Sequence, residues 1–200
     1  MKIIVVGGTG TIGQAVVAEL KKRHTIVIAG HSHGDFQLDI KNADSIRNLY
    51  QSVGSFDAVV ATTGKVHFGN LTEMTADHYS IGLQDKLMGQ VNLVLIGMEY
   101  INEQGSFTLT SGILESDPIR YGSSASMVNG ALNSFVKAAA IELPKEIRIN
   151  AVSPTVLAES MTAYGDYFRG FSPVSAASVA LAYSKSVEGA QTGQVYKVGY

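Results

Sequence analysis

Residues 2–20 read KIIVVGGTGTIGQAVVAEL, and the reading of this stretch decides the fold. KIIVV is an unbroken apolar run, which suits a strand covered on both faces. Ile12, Val16 and Leu20 recur at four-residue steps and mark one face of a helix. Between them lie Gly7, Gly10 and Gly13. A strand that hands over to a helix so abruptly needs glycine dihedrals. A dinucleotide pyrophosphate needs bare backbone amides at a helix N-terminus. The loop occupies the first strand–helix turn, so Gly7, Thr9, Gly10, Thr11, Ile12 and Gly13 form the candidate phosphate-binding set.

The same alternation continues along the chain. TIVIAG (25–30), FQLDI (36–40), FDAVVATTG (56–64), SFTLTS (106–111), IRINAVSP (147–154) and QVYKV (194–198) read as strands. Helical spacing fills 43–53, a long helix within 75–101, 122–144 and 176–186. In the 122–144 helix, Ser123, Ser124 and Ser126 offer N-caps and Pro144 ends the run. Alternating strands and helices with continuous apolar strands predict a parallel sheet. The expected fold is a single α/β, doubly wound Rossmann-type domain over residues 1–200. About seven strands carry helices on both faces.

Composition excludes several function classes. The formal charge is −2, with no basic field to recruit nucleic acid or an anionic membrane. Cysteine is absent, which removes disulfides, thiol nucleophiles and thiolate metal sites. Apolar residues make up 46%, yet no stretch reads as a lipid span. Met1 runs directly into KIIVV, leaving no room for a signal peptide, so a cytoplasmic location is expected.

At the end of the second strand an Asp or Glu would bind ribose hydroxyls and repel a 2′-phosphate. Gly30, His31 and Ser32 stand there instead. An imidazole and a hydroxyl can donate to phosphate, so NADP(H) is expected over NAD(H). The other reading makes these residues a solvated loop. His31 and His33 lack a third ligand, so no metal is expected.

The glycine loop, LDI, the fourth strand, NGALNSFVKAAAIEL and IRINAVSP occur in one order. Together they resemble the short-chain dehydrogenase/reductase superfamily along nearly the whole chain. The resemblance implies that Asp39 and Ile40 lie by the adenine. It also implies that Ala61, Thr62, Thr63 and Gly64 run along the cofactor, with the run from Pro154 to Leu157 near the nicotinamide. Members with the usual site carry Tyr and Lys four residues apart on the fifth helix. Those positions hold Ala125 and Asn129 here. Asn129 can hydrogen-bond ribose without supplying charge, and Tyr121 does not restore the pair. The usual helix-four Asn falls at Lys86, and the usual Ser at Ser111 or Gly112. The chain therefore looks like a divergent subgroup lacking the catalytic pair.

Three residues remain as candidates for proton handling. Lys86, if desolvated in the cleft, can act near neutral pH; otherwise it is a solvated helix lysine. His67 follows the fourth strand at the ligand-binding edge, and Ser111 can hydrogen-bond a carbonyl. Two functions stay open. One is an NADP(H)-dependent oxidoreductase of a small carbonyl or alcohol substrate with a rearranged acid. The other is a catalytically silent NADP(H)-binding redox sensor or regulator. Val91, Leu93, Val94, Ile96, Met98 and Tyr100, with Met127 and Phe135, give the 75–101 and 122–144 helices surplus apolar surface. Relatives assemble through these helices, so a homodimer or homotetramer is expected.

Overall fold

The computed structural model describes residues 1–200. Its strands are β1 (Lys2–Val6), β2 (Thr25–Gly30), β3 (Phe36–Gln37), β4 (Phe56–Ala61), β5 (Ile101–Thr110), β6 (Arg148–Pro154) and β7 (Val195–Val198). They pair in the order β3-β2-β1-β4-β5-β6-β7, and every ladder is parallel. Parallel neighbours need crossovers. These carry α1 (Thr11–Leu20), α2 (Ala43–Val53), α3 (Ala76–Gly82), α4 (Met88–Gly97), α5 (Ser123–Ala139), α6 (Met161–Tyr164) and α7 (Ala176–Glu188).

Alternation along β1 divides the core. Ile4 and Val6 join Ile46 and Leu49 of α2, Leu93 of α4, and Val128 and Leu132 of α5. Ile3 and Val5 face the other way, onto Val16 and Leu20 of α1 and Val179 and Tyr183 of α7. Successive strand side chains point to opposite faces, so one pentapeptide anchors both layers. The chain runs outward from β1 to β3, then returns to β4 on the other side of β1. This reversal opens a crevice beyond the strand carboxyl ends, where open α/β sheets bind ligands. No helix is long and apolar enough to cross a membrane.

The expected fold is the observed one, with local corrections. β5 begins at Ile101 rather than Ser106, its pairing with β4 shifting register between Phe56 and Ala58. β3 is reduced to two residues. The 122–144 helix stops at Ala139 and leaves through a turn over 140–142. Its N-cap is Gly122 with no side-chain cap. Ser124 and Ser126 instead turn buried, unpartnered hydroxyls inward.

The long helix expected within 75–101 is three pieces. α3 runs into a π-turn over Leu83–Leu87, and α4 continues to Gly97. The wider turn is held from below by Gln90. Its amide donates to the Lys86 carbonyl (3.1 Å) and to the Thr110 carbonyl (2.9 Å), and its oxygen accepts from the Thr110 amide (2.8 Å). Above it, Asp85 Oδ1 accepts from the Lys65 amide at 2.9 Å. Single π-turns inside α-helices are frequent at functional sites, and this one carries Lys86.

Candidate active site

Two clefts meet at the strand carboxyl ends. The first, about 430 Å³, is lined by the glycine loop, His31, Ser32, Asp39, Ile40 and the Thr62–Thr63 pair. Its floor must be glycine. A Cβ on Gly13 would lie 2.1 Å from the Gly7 carbonyl oxygen, and one on Gly7 (φ +80°) 2.9 Å from the Thr62 oxygen. By contrast a Cβ on Gly10 meets nothing closer than 3.4 Å, because Gly10 faces the open cleft. Gly10 caps α1 with no side-chain hydrogen bond, and the first helical turn carries no acid. The first bond closing the helix is Gln14 N–H to the Gly10 carbonyl at 2.8 Å. The amides of Thr11, Ile12 and Gly13 are thus left for an anion. This cradle fits a dinucleotide pyrophosphate.

At the rim, His31 Nδ1 and Ser32 Oγ lie 3.3 Å apart and both residues are exposed. The nearest acid in the chain, Asp35, is turned back on the strand, where Oδ2 accepts from the Ile28 amide at 2.8 Å. It does not line the cleft. Asp39 does, with Oδ1 accepting from the Lys41 amide at 3.0 Å.

The second cleft, about 560 Å³, is contiguous with the first through Thr62, Thr63 and Lys65. Lys86, Ser111, Ala125, Asn129, Pro154 and Leu157 line it, as do Ile12 and Gly64. These sequence positions therefore come together, whereas Ala61, buried at the end of β4, lines neither cleft. Lys86 Nζ donates to Asn129 Oδ1 at 2.7 Å and to the Ser111 carbonyl at 3.1 Å. Half-buried under the strand ends, its ammonium is desolvated and its pKa falls from the ordinary 10.5 to about 8. Gly64 explains how the backbone comes so close: a Cβ there would strike the Lys86 Cα and Cβ at 2.7 Å.

Ala125 is buried against Ile113 and Leu114, so α5 presents no proton donor at that place. Tyr121 lines a neighbouring chamber and not this cleft. His67 is also absent from the lining of both clefts; its ring stacks on His78 at 4.2 Å and 9°. The structure does not bring it to the site. Ser111 and Thr155 do line the second cleft, and each buries a hydroxyl with no partner. Thr155 lies within the Pro154 to Leu157 run that the family resemblance puts near the nicotinamide, and the whole run lines this cleft. Phe68, Tyr164 and Phe168 were missed in sequence: Phe68 and Phe168 lie outside regular elements, and Tyr164 ends the four-residue α6, too short to show a period. No three His, Asp or Glu side chains converge as a metal site.

Comparison with known proteins agrees with this fold. The family described as Enoyl-(Acyl carrier protein) reductase matches residues 9–196. A crystal structure of the protein lin1944 from Listeria innocua is 50% identical, covers 99% of both chains and superposes with a TM-score of 0.98. A small-chain dehydrogenase solved in complex with NADPH is 25% identical over 99% of this chain and 96% of that one, with a TM-score of 0.89. Versicolorin reductase 1 of Dothistroma septosporum is 25% identical over 188 residues, covering 81% of this chain and 72% of that protein.

Proposed function

The chain belongs to the short-chain dehydrogenase/reductase superfamily, and on that premise we propose an NADP(H)-dependent oxidoreductase of a small carbonyl or alcohol substrate, with Lys86 in place of the family's phenol. It is a divergent member, lacking the Tyr and Lys positions at Ala125 and Asn129. One observation carries the reading: the Lys86 ammonium, 2.7 Å from Asn129 Oδ1. The amide and the ammonium have changed helices, and positive charge still enters the cleft beside position 129. When bound, the nicotinamide supplies hydride to a carbonyl carbon or takes it from an alcohol carbon.

The chain's own residues do the rest. Lys86 donates the proton to the carbonyl oxygen and recovers it from solvent; in the reverse direction the neutral amine accepts it. A pKa near 8 suits both directions near neutral pH, which 10.5 would not. The buried Ser111 hydroxyl, otherwise unpartnered, is available to the same oxygen. Asn129 holds Lys86 in place and can reach ribose. The names of the relatives, reductases and dehydrogenases, weigh against the silent sensor. NADPH oxidation followed on a panel of aldehydes, ketones and quinones tests the class. Firm NADPH binding without turnover on any of them would return the chain to the sensor reading.

The NADPH complex of the similar dehydrogenase supports the cofactor preference, as does Asp35 being turned away from the rim. NADP(H) is expected to bind at least tenfold more tightly than NAD(H) by calorimetry, and Ser32→Asp should narrow or reverse that gap. Equal affinities in the wild type would refute the preference.

Self-association is proposed on a narrower surface than the sequence offered. Val91, Leu93, Val94 and Ile96 are already buried inside the chain, and the Tyr100 ring packs against Tyr50, centroids 5.8 Å apart and tilted by 39°. What faces outward is Met88 and Leu95 on α4 and Met127 on α5. An apolar groove between the two helices, lined by Val94, Met98, Phe135 and Leu143, adjoins them. A second copy covers this face in a homodimer or homotetramer. Light scattering at micromolar concentration should give two or four times 21.2 kDa, and Leu95→Glu should lower it. A wild-type monomer refutes this.

A further inference from the structure

Beside the nicotinamide-side cleft lies a chamber of about 210 Å³ that none of the proton chemistry uses. Five aromatic rings line it: Phe68, Tyr121, Tyr164, Tyr167 and Phe168. Ile119 closes the wall, and Arg120 is the only charged residue. Phe68, Tyr164 and Phe168 also line the larger cleft, so a molecule can span both spaces. Tyr121 and Tyr167 meet edge to face at 6.0 Å and 78°, and Phe168 meets Phe171 at 5.2 Å and 76°.

From the chamber's chemistry and its opening to the cleft we infer that the substrate is a planar aromatic carbonyl compound, its ring system in this chamber and an anionic substituent at Arg120. Exposed aromatic surface of this density marks a binding site. Four of the rings remain between 43% and 50% exposed. Flat π faces and ring edges select flat aromatic partners over aliphatic ones. Size agrees, since about 150 Å³ already accommodates a benzene ring. Arg120 is exposed and makes no salt bridge or hydrogen bond within the chain, so its guanidinium is available to a carboxylate or phenolate.

A second observation is independent of the lining. Tyr121 has φ +67°, a left-handed conformation that costs a bulky residue energy and persists where surroundings enforce it. Gly69 N–H donates to its carbonyl at 3.0 Å, and Gly122 N–H to the Ile119 carbonyl at 3.2 Å. Glycine would satisfy this turn without strain. A tyrosine there gives the chamber a ring at a cost to the backbone, which points to a role for that ring.

The inference rests on the oxidoreductase reading for the reacting carbonyl only; the chamber is tested by binding. Three ketones serve as probes: 6-acetyl-2-naphthoic acid, 2-acetylnaphthalene and cyclohexyl methyl ketone. Calorimetry is run on the full chain with and without NADP⁺, so no turnover is needed. Both naphthyl ketones should bind at least tenfold more tightly than the cyclohexyl ketone. The acid should bind about threefold more tightly than 2-acetylnaphthalene, a gap that Arg120→Gln abolishes. Tyr121→Gly should keep NADP⁺ affinity and a thermal midpoint at or above wild type while weakening the naphthyl ketones at least fivefold. Equal affinity for naphthyl and cyclohexyl ketones, or unchanged naphthyl affinity in Tyr121→Gly, overturns the inference. Naphthyl ketones that bind as expected and are never reduced would instead overturn the reductase reading and leave the chamber standing.

Discussion

Gly10→Val is expected to abolish NADP(H) binding, by at least a hundredfold, in a protein that still folds. A Cβ on Gly10 has 3.4 Å to its nearest neighbour, the Gly7 oxygen, so the added side chain is tolerated by the chain itself. Its branches must then point into the space beyond the α1 N-terminus that a pyrophosphate needs. Gly13→Ala makes the control. There the new methyl would sit 2.1 Å from the Gly7 oxygen and 2.7 Å from the Gly8 Cα. Both are backbone and cannot rotate away, so the loop between β1 and α1 must move. Gly13→Ala should lower the thermal midpoint and lose binding together, whereas Gly10→Val should lose binding alone. Thermal unfolding with and without NADPH separates them: wild type is stabilised by ligand through mass action, Gly10→Val is not. A ligand-induced rise in Gly10→Val equal to that of wild type would remove the glycine loop from the cofactor site.

How far this site is legible in sequence depends on how local its causes are. The glycine loop is legible because its constraint lies within Gly7–Gly13 and is steric. The layer order is legible because KIIVV can bury both faces only between two helix layers. The π-turn at Leu83–Leu87 is not, since its cause is tertiary. Gln90 reaches from α4 to both backbone groups of Thr110, a strand-end contact no helical period announces. His67 stands at the right edge of the sheet, yet its ring is taken by His78. The aromatic chamber draws Phe68 and Tyr121 from two separate loops and Tyr164 from the end of the four-residue α6, and neither loops nor a single helical turn carry a periodicity to read. The Ser cluster opening α5 has N-cap composition, but a buried start turned those hydroxyls inward.

Lys86→Met is expected to lower turnover about a hundredfold, leaving NADPH affinity within threefold of wild type. The thioether matches the stem in length and bulk and removes only the charge. A hundredfold loss corresponds to about 2.7 kcal/mol of transition-state stabilisation, within the range that general acid catalysis supplies. The pH profile assigns the loss to the proton. Carbonyl reduction uses the charged ammonium, whose pKa burial lowers to about 8. Reduction should therefore be level below pH 8 and fall about tenfold per pH unit above it. In Lys86→Met that break should disappear. The same titration affects stability with a definite sign. Between about pH 8 and 10.5 the unfolded chain binds this proton and the folded chain does not, so stability rises with pH in that window and loses this contribution as pH falls through it. Asn129→Asp supplies the decisive variant. A carboxylate in place of the amide oxygen 2.7 Å from Nζ favours the charged lysine, so the break in the reduction profile should move above pH 8. A structural role for Lys86 would not shift a titration. Unchanged turnover in Lys86→Met, or an unmoved break in Asn129→Asp, would show that the proton comes from elsewhere.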